Sequence, residues 1–129
     1  MDRIDIHIEV PSVPFDELSA TGGEATTSAA MREDVARARE AQAARFTAGE
    51  TRYNAQMSSR EVRRYCVLSA PCKRLLRHSV EEHGLSARAH DKVLRVARTI
   101  ADVAGAAEIE EAHLAEAVNY RSLDANLWT

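Results

Sequence analysis

At 129 residues the chain is long enough for one domain with a modest core. Apolar residues make up 45% of it, much of that alanine, while aromatics make up only 5%, and such an Ala-rich, charge-rich, Gly- and Pro-poor composition predicts helices. The net charge of −3 conceals a basic centre: between Arg60 and Arg98 ten Lys/Arg face four Asp/Glu, a balance of +6 that leaves −9 for the rest. A basic centre suggests an anionic partner, although solvated helix faces also look like this. No apolar run is long enough to span a membrane and no secretory signal is present, so a cytoplasmic chain is expected.

Residues 3–10, RIDIHIEV, alternate strictly, with Ile4, Ile6, Ile8 and Val10 set against Asp5, His7 and Glu9, which predicts a strand with one buried face. Pro11 and Pro14 end it, because neither donates to a ladder. A lone strand beside helices has no partner, and the expectation is that the chain starts inside a larger fold. Residues 16–28 are small and polar around Gly22 and Gly23 and read as a flexible linker.

A first helix is predicted from Ala29 to Phe46, capped by Thr27 or Ser28. Met31, Val35, Ala38 and Phe46 mark a weak apolar side. The interleaved charges, with Glu33 four residues before Arg37, read mainly as a solvated face, with a subunit interface or DNA path as the other reading. After a loop over 47–57, Ser58-Ser59-Arg60-Glu61 matches a capping box that opens a short helix to Cys66. Ser69 caps the next helix, Pro71 is tolerated in its first turn, Leu75, Leu76 and Val80 form its core side, and Gly84 stops it.

The central helix is predicted over Leu85–Gly105, with Ser86 as N-cap and Gly105 as the residue that ends it. Leu85, Ala89, Val93, Val96, Ala97, Ile100, Val103 and Ala104 make its inward stripe; Arg88, Lys92, Arg95 and Thr99 make an outward one. Arg88 falls in the first turn, where open N–H groups and the helix dipole favour an anion, so a side chain there is suited to meet a phosphate. The step across Gly84 reads as an αα-hairpin in preference to a helix-turn-helix. A last helix follows Ile109, with Glu110 and Glu111 at its positive end, Ile109 and Leu114 as a hydrophobic staple, and Leu114, Ala117, Val118 and Tyr120 on its packed face. His113 reads as a core or capping histidine.

No complete catalytic constellation is found. There is no GxxxxGK[ST] loop, no acidic magnesium site after an apolar strand and no nucleophile arrangement. Cys66 and Cys72 do not suggest a disulfide framework. Their spacing from His78 and His83 also argues against zinc, since Cys72 and His83 would lie roughly 16 Å apart along one helix.

Three separated segments, DRIDIHIEVP, NAQMSSREVRRYC and SARAHDKVLRVARTIADVAG followed by YRSLD, occur in the order in which they occur in one family. The chain resembles the C-terminal lid of magnesium-chelatase-type AAA+ ATPases, closest to the ComM/YifB branch linked to DNA uptake and recombination. The resemblance implies an all-α fold: a small helical bundle over 29–125, preceded by the end of the AAA+ core at 1–15 and a linker at 16–28. It implies that Arg3 is an arginine finger reaching a neighbouring subunit's ATP and that Arg88 is the sensor-2 arginine. ATP and Mg2+ are then cofactors of the parent protein, and neither is expected to bind this chain tightly. The implied partners are its own AAA+ core, neighbouring subunits of a homohexamer, and DNA, with no membrane. The sibling reading is the lid of a chelatase subunit that drives Mg2+ into porphyrin. A reading of another class is a stand-alone helical DNA-binding module using Arg88, Lys92 and Arg95.

Overall fold

A computed structural model describes residues 6, 27–47 and 51–128, with side chains as far as 120. Among these residues the architecture is all-α: α1 (Ser28–Arg45), a 3-10 turn (Asn54–Gln56), α2 (Ser59–Tyr65), α3 (Ala70–His83), α4 (Ala87–Val103) and α5 (Glu111–Trp128). The expected strand at 3–10, Ile6 apart, and most of the expected linker lie outside the described residues. Thr27 caps α1, as one of the two expected caps, and Ser28, placed at the linker's end by the sequence, is its first residue.

The punctuation of the chain works through side chains that satisfy helix-end N–H groups. Thr27, Ser58, Ser69 and Ser86 each accept a backbone N–H three residues on, and Glu61 reaches back to the Ser58 N–H to complete a capping box. His113 does the same for α5, its Nδ1 accepting the Glu110 N–H at 3.0 Å, which bears out the capping reading. Gly84 and Gly105 take positive φ, 61° and 74°, where a Cβ is disfavoured. Past Gly105 the Ala106 N–H bonds the Ala101 carbonyl at 2.8 Å and the Gly105 N–H bonds that of Asp102 at 3.1 Å, the paired bonds of a Schellman stop.

α4 is the axis of the bundle. It packs on α5, α1, α2 and the 3-10 turn. Ala89, Val93, Leu94, Val96, Ala97 and Ala101 are buried along it, facing Met57, Val62, Cys72, Leu76, Ile109, Leu114 and Ala117. Burial thus wraps further round α4 than one stripe: Leu94, Arg98 and Asp102 are inside, while Val103 and Ala104, placed inward by the spacing, are exposed. The cause is the number of partners, because a helix covered on several sides has no single apolar face. α3, which follows on from α2 and precedes Gly84, makes its main packing contact with α5. On α1, Met31 and Val35 are exposed where a weak core side was expected, and Ala38 and Gln42 are the buried positions. Arg37 pairs with Asp34 and not with Glu33.

Candidate functional site

The start of α4 carries the predicted anion-facing side chain. Ser86 Oγ accepts the Ala89 N–H at 3.1 Å, fixing the first turn, and Arg88 is its second residue and exposed. Three residues on, Asp91 accepts the Ser59 hydroxyl at 2.6 Å, which pins the beginning of α2 beside the beginning of α4. The His90 ring nitrogen lies 3.5 Å from the other Asp91 oxygen. The edge bearing Arg88 is therefore held from two sides, by its own cap and by a neighbouring helix.

The other predicted contacts differ from Arg88. Lys92 is half-buried, and Arg95 is half-buried with its Nε donating to the Met57 carbonyl at 3.0 Å. Arg95 thus ties α4 to the chain between the 3-10 turn and α2. Thr99, assigned to the outward stripe, accepts the Asn54 side-chain amide at 3.1 Å and donates to the Arg95 carbonyl. The outward stripe is therefore outward only at its N-terminal end, because the 3-10 turn covers the rest. Arg3 lies outside the described residues.

What the sequence reading missed is a polar cluster at the other end of α4. Asp102 is 3% exposed and accepts three hydrogen bonds, two from the Arg45 guanidinium at 2.9 and 2.7 Å and one from Asn54 Nδ2 at 2.8 Å, and it is ion-paired with Arg98 at 3.1 Å. Asn54 closes the ring, its Oδ1 accepting from Arg45 at 2.9 Å and its backbone N–H donating to the Gln42 side chain at 2.8 Å. Arg98 also donates to the carbonyls of Ala107 and Ala106, at 3.1 and 2.9 Å, holding the α4–α5 connection. Its Nε has no hydrogen-bond partner. Burial alone pushes the Asp102 carboxyl up, but the bonds from Arg45 and Asn54 and the charges of Arg45 and Arg98 outweigh it and hold it below the usual carboxylate range. The Asp102 hydrogen bond raises Arg45 in turn, against its own burial. Only the (i, i+4) placing of Arg98 and Asp102 hinted at this; Arg45 read as one more charge on a solvated helix.

Both cysteines are buried and reduced. Burial pushes the Cys66 thiol up to about 11, so it is unsuited to act as a nucleophile. Among the described residues no group of three or more His, Cys, Asp or Glu is placed to hold a metal ion, and no helix is long and apolar enough to cross a membrane.

Residues 25–121 match the family described as magnesium chelatase, subunit ChlI C-terminal. The chain is 42% identical over 123 residues to the competence protein ComM of Haemophilus influenzae, covering 95% of this chain and 23% of that protein. It is 39% identical to the uncharacterized protein YifB of Salmonella typhimurium over 96% of the chain, and 38% identical to YifB of Escherichia coli over the same share. The chain spans about a quarter of the length of these relatives. It belongs to the magnesium chelatase C-terminal family, as the ComM/YifB resemblance of its motifs implied.

Proposed function

We propose that this member of the magnesium chelatase C-terminal family is the lid of a ComM-type AAA+ ATPase, coupling ATP binding and hydrolysis in a ring to the remodelling of DNA. The observation that carries the reading is Arg88, exposed on the capped first turn of α4, where a cation has a role if it faces an anion. The residue also falls in the SARA segment that resembles the family's sensor 2. In the parent protein ATP would supply the transferable phosphoryl group and Mg2+ would offset its negative charge. Arg88 would bind its terminal phosphate from the lid side, through charge-assisted hydrogen bonds and the end of the α4 dipole. Arg3 would act across a subunit boundary as an arginine finger in a homohexamer. Lid angle then follows nucleotide state, because the terminal phosphate is within reach of Arg88 in one state and has been released in the other.

The Haemophilus relative is a competence protein, which favours a motor on DNA over insertion of Mg2+ into porphyrin. The use of Arg95 on the Met57 carbonyl weighs against a stand-alone DNA-binding module built on Arg88, Lys92 and Arg95. The test is ATP turnover of the full-length parent with and without branched DNA, for the wild type and Arg88→Ala. Stimulation by DNA, with turnover in Arg88→Ala reduced at least tenfold, is the expected result. Normal turnover in the variant would sink the role of Arg88. Dependence on a porphyrin-binding partner in place of DNA would move the parent to the chelatase class.

A further inference from the structure

An open groove of about 620 Å³ runs between α2, α3 and α4, on a different part of the surface from the Asp102 cluster. Its floor is apolar, made by Val62, Cys66, Leu76 and Leu94. Val67 stands at its side 70% exposed, the most exposed large apolar side chain among the described residues. Its rim is cationic: Arg63, Lys73 and Arg77 line it and are exposed, against one carboxylate, Glu81. None of these three cations is ion-paired among the described residues. A solvated face accounts for the cations, but it does not account for Val67 and the apolar floor between them.

The pattern of the groove fits a helix. Each bounding helix contributes an (i, i+4) pair: Val62 from α2 with Cys66 at its C-cap, Leu76 and Val80 from α3, His90 and Leu94 from α4. Rows at this spacing form the channels into which the ridge of another helix packs. Lys73 and Arg77 repeat the spacing along the rim, about 5–6 Å apart, which matches two carboxylates four residues apart on an incoming helix. Nucleic acid fits less well, since no Phe, Tyr or Trp lines the groove for bases to stack on and a phosphodiester gains nothing from the apolar floor. Among the described residues a second copy of this chain also lacks the complement. The exposed Met31–Val35 ridge of α1 lies in a stretch, 28–40, with three arginines and three carboxylates. The exposed glutamates at the start of α5 are accompanied only by alanines.

We propose that this groove docks an acidic amphipathic α-helix of a partner protein, with apolar residues at i and i+4 on its floor and flanking carboxylates on Arg63, Lys73 and Arg77. The proposal needs neither nucleotide nor ring and is independent of the role of Arg88. It is tested on the 129-residue chain by fluorescence anisotropy, with a labelled synthetic peptide of about 18 residues, roughly 27 Å as a helix, bearing Leu at i, i+4 flanked by Glu. Saturable, salt-sensitive binding is expected. Val67→Asp, and separately the triple change Arg63→Glu, Lys73→Glu, Arg77→Glu, should each weaken it by about tenfold while the helical melting curve is unchanged. A peptide with Lys in place of Glu should not bind. The proposal is overturned by absence of saturation, by binding indifferent to Val67→Asp, or by a short DNA oligonucleotide that binds more tightly at the same salt and depends on the same cations. Sedimentation showing a dimer abolished by Val67→Asp would also overturn it, assigning the groove to a second copy.

Discussion

Replacing Asp102 by alanine removes the acceptor of three hydrogen bonds and the ion-pair partner of Arg98 in one step. Two guanidiniums lose their counter-charge, and they differ in what remains. The Arg45 side chain keeps 14% of its surface in water and can turn outwards, whereas Arg98 is 5% exposed, leaving it two loop carbonyls and no anion. Breaking a buried ion pair by removing one partner costs about 3–5 kcal/mol, chiefly because a charge stays buried and uncompensated. Against the roughly 5–15 kcal/mol that holds a domain together, this is a large fraction. At about 4–8 °C per kcal/mol for a domain of this size, the melting temperature should fall by at least about 12 °C, read by circular dichroism at 222 nm. Arg45→Met should cost less, about 1–3 kcal/mol, because Asp102 keeps Arg98 and Asn54. The reasoning is refuted if Asp102→Ala melts within about 3 °C of the wild type, or if Arg45→Met is the worse of the two.

The same carboxylate gives the chain an acid dependence of defined sign. The folded-state pKa of Asp102 is depressed, so its contribution is complete above the unfolded carboxylate value, about 4, and is lost as pH falls through the lower folded value. Asp102→Asn should flatten melting temperature against pH below about pH 4 relative to the wild type, and an unchanged slope there would assign the acid sensitivity elsewhere.

Smaller effects are expected at the helix ends and the thiols. Ser58→Ala removes half of the α2 capping box and should cost about 1 kcal/mol by urea denaturation, with no change in the m-value. Gly84→Ala meets no atom within 4 Å, so its penalty, about 1–2 kcal/mol, should be purely that of a side chain at φ 61°. With its pKa pushed up to about 11 and its side chain buried, Cys66 should react with a disulfide reagent at pH 8 only at the rate at which the bundle opens; rapid stoichiometric labelling of the native chain would contradict its placement.

Local signals in the sequence carried the fold well where the structure uses local chemistry. Ser58, Ser69, Ser86 and the two glycines at 84 and 105 each act within a turn of their own position, so their meaning was readable from spacing. Ile109, Leu114 and Ala117 followed the helical period and are buried. What could not be read was set by distant partners. Arg45 meets Asp102 across 57 residues, and nothing around either position distinguishes a buried charge from a solvated one. The extent of burial on α4 likewise depends on how many elements cover it, and that is a property of the packing. At the candidate site the first turn of α4 was legible because a cap and a dipole are local. The turning of Arg95 and Thr99 toward the 3-10 turn was not, since that turn is some forty residues upstream.

The two ends of α4 bear on the proposed function together. Arg88 and Asp102 are fourteen residues apart on one helix, about 21 Å along its axis. At the Asp102 end, Arg45 at the last turn of α1 and the Asn54 turn are clamped to α4 by charge-assisted bonds in a buried setting. On the proposed function, a pull on Arg88 would be transmitted to α1 along α4 and through the Arg45–Asp102–Asn54 clamp. Such a connection is what a lid needs if a contact at one phosphate is to rotate the domain as a body. Weakening the clamp while leaving Arg88 intact separates the two roles. In the full-length parent, Arg45→Met should leave nucleotide affinity close to the wild type and reduce turnover. A variant that loses affinity and turnover in the same proportion as Arg88→Ala would show that the clamp only supports the fold of the Arg88 end of α4.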